Sequence, residues 1–125
     1  MSVDDCIFCK IADGRIPSTK VYEDDICLAF NDLSPQAPTH VLIIPREHSD
    51  SLDKVGEGQK ETLGHLLLTA ANIARARGFA EAGYRVVINT NADGGQTVFH
   101  LHVHLLAGRP FIFPPGRSNW ILNVL

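Results

Sequence analysis

The sequence is short of basic charge, of long apolar runs and of cysteine. Lys and Arg total 11 against 14 Asp and Glu, a net charge of −3 with neutral histidines. That balance argues against a general nucleic-acid binder, which should carry a basic stripe. A small phosphate site stays open, because backbone N–H groups and imidazoles make one without net positive charge. No run of about 18 apolar residues occurs, so no membrane-spanning helix is expected. The start, "MSVDDCIFCK", is acidic and has no apolar h-region, so no secretory signal is read. Three cysteines are an odd number and make no disulfide framework. A reducing cytoplasm is the expected compartment. Internal repeats, low-complexity tracts and linkers are also missing.

What is present suits one soluble domain over residues 1–125, with 45% hydrophobic and 20% charged residues. Ile7, Phe8, Ile11 and Ala12 before Gly14 predict a short helix. "KVYEDD" and "ICLAFND" read as a hairpin around Asp24-Asp25. "SPQAP", with two prolines, is a loop. "THVLIIP" is the next strand. From Glu57 to Arg77, Leu63, Leu66, Leu67, Ala70, Ala71, Ile73 and Ala74 recur at threes and fours, a long helix closed by Gly78. "YRVVINT" is a strand, "NADGGQT" a tight loop, and "FHLHVHLLAG" the last strong strand. Strands do not alternate regularly with helices, so the expected class is α+β, an antiparallel sheet with the long helix packed on it. The apolar tail, with Trp120, Ile121, Leu122, Val124 and Leu125, is expected to cover the sheet or to pack on a partner chain.

Half of the six histidines fall within "HLHVH": His100, His102 and His104. Side chains alternate along a strand, so these three share one face while Leu101, Val103 and Leu105 share the other. Successive imidazoles lie about 7 Å apart and the outer pair about 13 Å, too far for all three to hold one metal ion. Spaced contacts along a phosphate ester fit better, with imidazole serving as nucleophile or general acid near neutral pH. The His100 carbonyl is placed to hold His102 in one tautomer. Gly94 and Gly95 let backbone N–H groups approach an anion, and Thr97 and Asn89 have polar ends within reach of the same phosphate. Cys6 and Cys9 form a C-x-x-C pair, which reads as a redox pair, buried thiols or half of a metal site. Cys27, in an apolar strand, is read as core, and His65 as facing solvent or the helix edge.

The motif His100-Leu101-His102-Val103-His104-Leu105-Leu106 fits the histidine-triad signature. Together with "IPSTKVYEDDICLAFNDLSPQAPTHVLIIPREH", "GYRVVIN", "DGGQTVFHLHVHLLAGR" and "PPG", it resembles the nucleotide-binding, purine nucleoside phosphoramidase-like branch of the histidine-triad superfamily, from about Cys6 to Gly116. The resemblance implies a five-stranded antiparallel sheet per subunit and a homodimer. It implies hydrolysis at the α-phosphate of purine nucleoside phosphoramidates or related adenylyl compounds. His102 would be the nucleophile, forming a nucleotidyl-histidine. His104 would assist the leaving group, His40 would contact the phosphate and position the nucleophile, and His100 would complete the catalytic set. The nucleotide would meet Ile7, Phe8, Phe30, Asn31, Asp32, Leu33, Asn89, Gly95, Gln96 and Thr97, with Asp32 on the ribose hydroxyls. Some relatives bind zinc, and here the ligands would be Cys6, Cys9, His48 and His100, a closed structural site. No cofactor is expected in the chemistry itself. Two other readings are a dinucleoside polyphosphate hydrolase and a nucleotide-binding regulatory protein with little turnover. "AGR" and "PPG" favour the phosphoramidase branch. Residues 117–125 extend beyond the usual end and are expected to reach the partner's active site.

Overall fold

The computed structural model describes residues 5–115, so the expectations for the tail at 117–125 lie outside the described residues. A short helix α1 (Ile7–Ala12) leads into strands β1 (Lys20–Glu23), β2 (Cys27–Asn31) and β3 (Thr39–Pro45). Two single 3-10 turns precede the long helix α2 (Lys60–Ala76), followed by β4 (Tyr84–Val87) and β5 (Val103–Ala107). The strands form one sheet in the order β1-β2-β3-β5-β4, every neighbour antiparallel. This is the α+β architecture expected from the sequence. None of the described helices is long and apolar enough to cross a membrane.

Strand alternation sorts the core into two layers. On one face of the sheet, Cys27, Ala29, Val41, Ile43, Leu101, Val103 and Leu105 pack against Leu66, Ala70, Ile73 and Ala74 of α2. On the other, Leu28, Phe30, Leu42 and Ile44 pack against Cys6, Phe8, Cys9 and Ile11. Leu101, Val103 and Leu105 therefore take the α2 side, as expected. The histidines between them face the α1 side.

The last strand is shorter than its pattern. It begins at Val103, not Phe99, where Ile43 pairs with Val103. Extending the ladder would bring it to Pro45, which has no N–H to donate. Instead Leu101 donates its N–H to the Ser49 carbonyl at 2.7 Å. Residues 97–102 thus leave the sheet and dock on the loop that follows β3.

The hairpin turn is clasped by Asp24. Its Oδ1 accepts the N–H groups of Ile26 and Cys27, each at 2.8 Å. Its Oδ2 accepts the Tyr22 hydroxyl and His65 Nε2–H, each at 2.7 Å. His65 is therefore half-buried at the helix edge, one of the two placements expected for it, and it ties α2 to the hairpin. Cys27 is core, as expected, its Sγ 3.7 Å from Thr69 Oγ1.

Candidate active site

A cavity of about 430 Å³ opens between α1, the β2–β3 connection and the segment before β5. Ile7, Phe8, Phe30, Asn31, Asp32, Leu33, His40, Thr97, His102 and His104 all line it. So do Ile16, Pro17, Ser18 and Thr19, which sequence reasoning did not single out. They read as a plain loop; what brings them in is the Asn31 N–H bonded to the Thr19 carbonyl at 3.0 Å.

Asn89, Gly95 and Gln96 do not line the cavity. Asn89 donates Nδ2–H to the Gly94 carbonyl at 2.8 Å, which braces the loop. Gly95 sits at φ +82°, and a Cβ on Gly94 would come within 2.3 Å of the Thr90 oxygen. These glycines allow the loop to fold on itself. The Gln96 side chain is buried and bonded to main chain: Oε1 accepts Asn91 N–H at 2.9 Å, and Nε2 donates to the carbonyls of Asp50 at 2.7 Å and Val98 at 3.0 Å.

Each histidine has a partner that sets its tautomer. His102 Nδ1–H donates to the His100 carbonyl at 2.7 Å, so the ring's available lone pair is on Nε2. The sequence expectation for this carbonyl is met. His40 Nδ1 accepts the Gln36 N–H at 3.1 Å, which puts its proton on Nε2. That Nε2–H donates to His104 Nδ1 at 2.9 Å, so a neutral His104 carries its proton on Nε2. Burial, and then the neighbouring rings of His102 and His40, push His104 down to about 4. Burial also lowers His102 and His40. All three are neutral near pH 7. The rings are closer than simple strand spacing predicts: His102 and His104 centroids lie 4.9 Å apart, with Phe8 edge-on to His102 at 5.1 Å. Side chains that lean along the chain account for the difference. Asp32 Oδ1 accepts Ser34 N–H at 2.8 Å and Oδ2 lies 3.4 Å from His40 Nε2.

His100 points away from this cavity into a second cluster. The donor atoms of Cys6, Cys9, His48 and His100 all lie within 4.8 Å of one another. Cys6 Sγ is 3.2 Å from His100 Nδ1, and Cys9 Sγ is 3.3 Å from His48 Nδ1. His100 Nε2–H donates to the Pro45 carbonyl at 2.8 Å, and His48 Nε2–H to Asp50 Oδ1 at 2.7 Å. Both histidines thus turn an Nδ1 lone pair toward the thiols, with outer partners of the kind that orient metal ligands. The donor set fits a Cys₂His₂ zinc site. Burial and the neighbouring Cys6 push the Cys9 thiol up to about 11, so a cation binding here displaces thiol protons. Among the described residues, two further trios come as close. In Asp24, Cys27 and His65 the carboxylate already accepts four bonds, and in Asp32, His40 and His104 the nitrogens bond to each other.

The family profile for the HIT domain matches residues 13–111. The chain belongs to the histidine-triad (HIT) family. Over 107 residues, 86% of this chain and 90% of the relative, it is 50% identical to a purine nucleoside phosphoramidase of Escherichia coli. A HIT family hydrolase from Legionella pneumophila superposes with a TM-score of 0.88 at 51% identity, covering 90% of this chain and all of that one. A zinc-bound HIT family protein from Mycobacterium smegmatis matches at TM-score 0.76 and 32% identity, over 86% of this chain and 78% of that one. This HIT chain therefore has hydrolases among its relatives, and its Cys/His cluster has the composition of a metal site.

Proposed function

We propose that this HIT protein hydrolyses purine nucleoside phosphoramidates through a covalent nucleotidyl-histidine on His102. The observation that carries the reading is the His102 Nδ1–H bond to the His100 carbonyl, which leaves Nε2 free beside the cavity. The base would lie among Ile7, Phe8 and Phe30, and Asp32 keeps acceptor capacity for a ribose diol. His102 Nε2 forms a bond to the α-phosphorus, and the phosphorus–nitrogen electron pair leaves with the nitrogen. That nitrogen takes one proton from solvent, with His104 Nε2–H hydrogen-bonding the departing group, and leaves as an amine. Water then adds to phosphorus, the electron pair of the broken bond returns to His102 Nε2, and one proton of that water goes to solvent. The net change is addition of water across the phosphorus–nitrogen bond. Dividing one displacement into two is the usual advantage of such an intermediate.

His102→Ala is expected to abolish turnover of adenosine and guanosine phosphoramidates while nucleotide binding remains measurable by calorimetry. Full activity in that variant would sink the reading. Turnover of dinucleoside polyphosphates in preference to phosphoramidates would favour the sister activity instead. Cys6, Cys9, His48 and His100 would hold zinc, which stabilises the fold when bound and takes no part in the steps above. Metal analysis of the purified protein is expected to find about one equivalent. A second copy of the chain would join at β4, an edge strand that carries the exposed Val86, and light scattering would read the dimer.

A further inference from the structure

We propose that Gln96 is a positioning residue for the nucleophile, acting through the main chain of the segment that carries His102. The proposal rests on the reading of His102 as nucleophile. It starts from the early end of the last strand. His100 and His102 lie before β5, on a stretch without sheet pairing. Yet His102 depends on the His100 carbonyl for its tautomer, so the main chain there must be held by something else.

Two ties hold it to the end of β3 and the loop beyond: the His100 ring to the Pro45 carbonyl at 2.8 Å, and Leu101 N–H to the Ser49 carbonyl at 2.7 Å. Gln96 is the third and joins the most pieces. One amide group bridges the Asp50 carbonyl of that loop and the Val98 carbonyl of the nucleophile segment, while its oxygen caps Asn91 N–H in the glycine loop. Gln96 is buried, so water is a poor substitute for these three bonds. Its side chain does not line the cavity, and its three hydrogen bonds go to main-chain groups, none of them to the Cys/His donors. Its effect on chemistry therefore travels through residues 98–102 to the carbonyl that orients His102. Outer partners of metal-bound histidines are worth about 10- to 100-fold in affinity or activity, and an effect of that order is expected here.

The test uses the full chain with Gln96→Met, which keeps volume and loses all three bonds, and Gln96→Glu, which keeps the acceptor and loses both donors. The first readout needs no turnover. In protein labelled with ¹⁵N-histidine, the His102 Nδ1–H signal, assigned by its loss in His102→Ala, is expected to exchange faster with water in both variants. The second is rapid-quench formation of the nucleotidyl-histidine, expected to slow about 10- to 100-fold, while the Kd for a nucleoside monophosphate moves less than about twofold. Lowered melting temperature with the signal and the rate unchanged overturns the proposal. So does weakened monophosphate binding at an unchanged rate, which would make Gln96 a ligand contact. If the wild type forms no intermediate with any phosphoramidate, the activity reading fails and the Nδ1–H signal alone decides this one.

Discussion

Replacing Asp24 by alanine removes the clasp that joins the β1–β2 hairpin to α2. Four donors converge on this carboxylate: the N–H groups of Ile26 and Cys27, the Tyr22 hydroxyl and His65 Nε2–H. Hydrogen bonds to a charged group contribute about 1.5–3 kcal/mol each, but the four are not additive. Tyr22 is exposed and His65 half-buried, so water replaces the carboxylate there. Cys27 is fully buried, and its amide is left without an acceptor. The expected loss is about 2–4 kcal/mol for Asp24→Ala. For Asp24→Asn it is about half that, because one carbonyl oxygen still accepts the two amides. The pH dependence has a definite sign. Desolvation acts to raise the Asp24 pKa, but the Cys27 amide, Tyr22, the Ile26 amide and His65 outweigh it and hold the carboxyl well below the usual range. A depressed folded value means the stabilisation is fully present above the unfolded pKa near 4 and is lost as pH falls below it. At pH 3.5 the gap between wild type and Asp24→Ala is expected to be narrower than at pH 7 by about 0.7 kcal/mol. Urea denaturation at the two pH values measures both quantities. A loss under about 1 kcal/mol at pH 7, or a gap that does not narrow, refutes the clasp.

Gly94→Ala would bring a Cβ within 2.3 Å of the Thr90 oxygen, so the loop must open. The expected cost is about 1–3 kcal/mol by thermal denaturation, with little change in nucleotide affinity, because the loop does not line the cavity. The buried histidines set the acid limit of the fold. Burial lowers His40, and lowers His104 to about 4, so the unfolded chain binds protons that the folded chain refuses. Stability is expected to fall as pH drops from about 6.5 to about 4. His104→Asn should flatten that slope; an unchanged slope counts against burial as the cause.

The sheet was legible because its signal is local and repeated. Side-chain alternation along "CLAFN" and "THVLIIP" sorts their residues onto two faces, and the two core layers follow it. The long helix was legible for the same reason. The start of β5 was not, because the apolar–histidine alternation runs on past the point where Pro45 denies the strand a partner. Gln96 was legible as a neighbour of the motif, but its job depends on carbonyls of Asp50 and Val98 that no pattern of side chains reveals. The approach of Ile16–Thr19 to the cavity has the same origin, a main-chain bond between Thr19 and Asn31.

The three triad histidines make the point most sharply. Sequence spacing treats them as equivalent, since a strand puts every second side chain on one face. Chemistry depends on which nitrogen carries the proton, and that is set from outside the motif. The Pro45 carbonyl takes the His100 Nε2–H and frees Nδ1 for the thiols. The His100 carbonyl takes the His102 Nδ1–H and leaves the Nε2 lone pair beside the cavity. The Gln36 amide, acting through His40, puts the His104 proton on Nε2. In each case a main-chain group determines the tautomer, directly or through one ring, so the division of labour among identical side chains is a property of the backbone path. Two of those main-chain groups, Pro45 and His100, meet where β3 ends and β5 has not yet begun. That junction has to be held independently of the sheet, so residues outside the cavity can set the tautomer of a histidine that lines it.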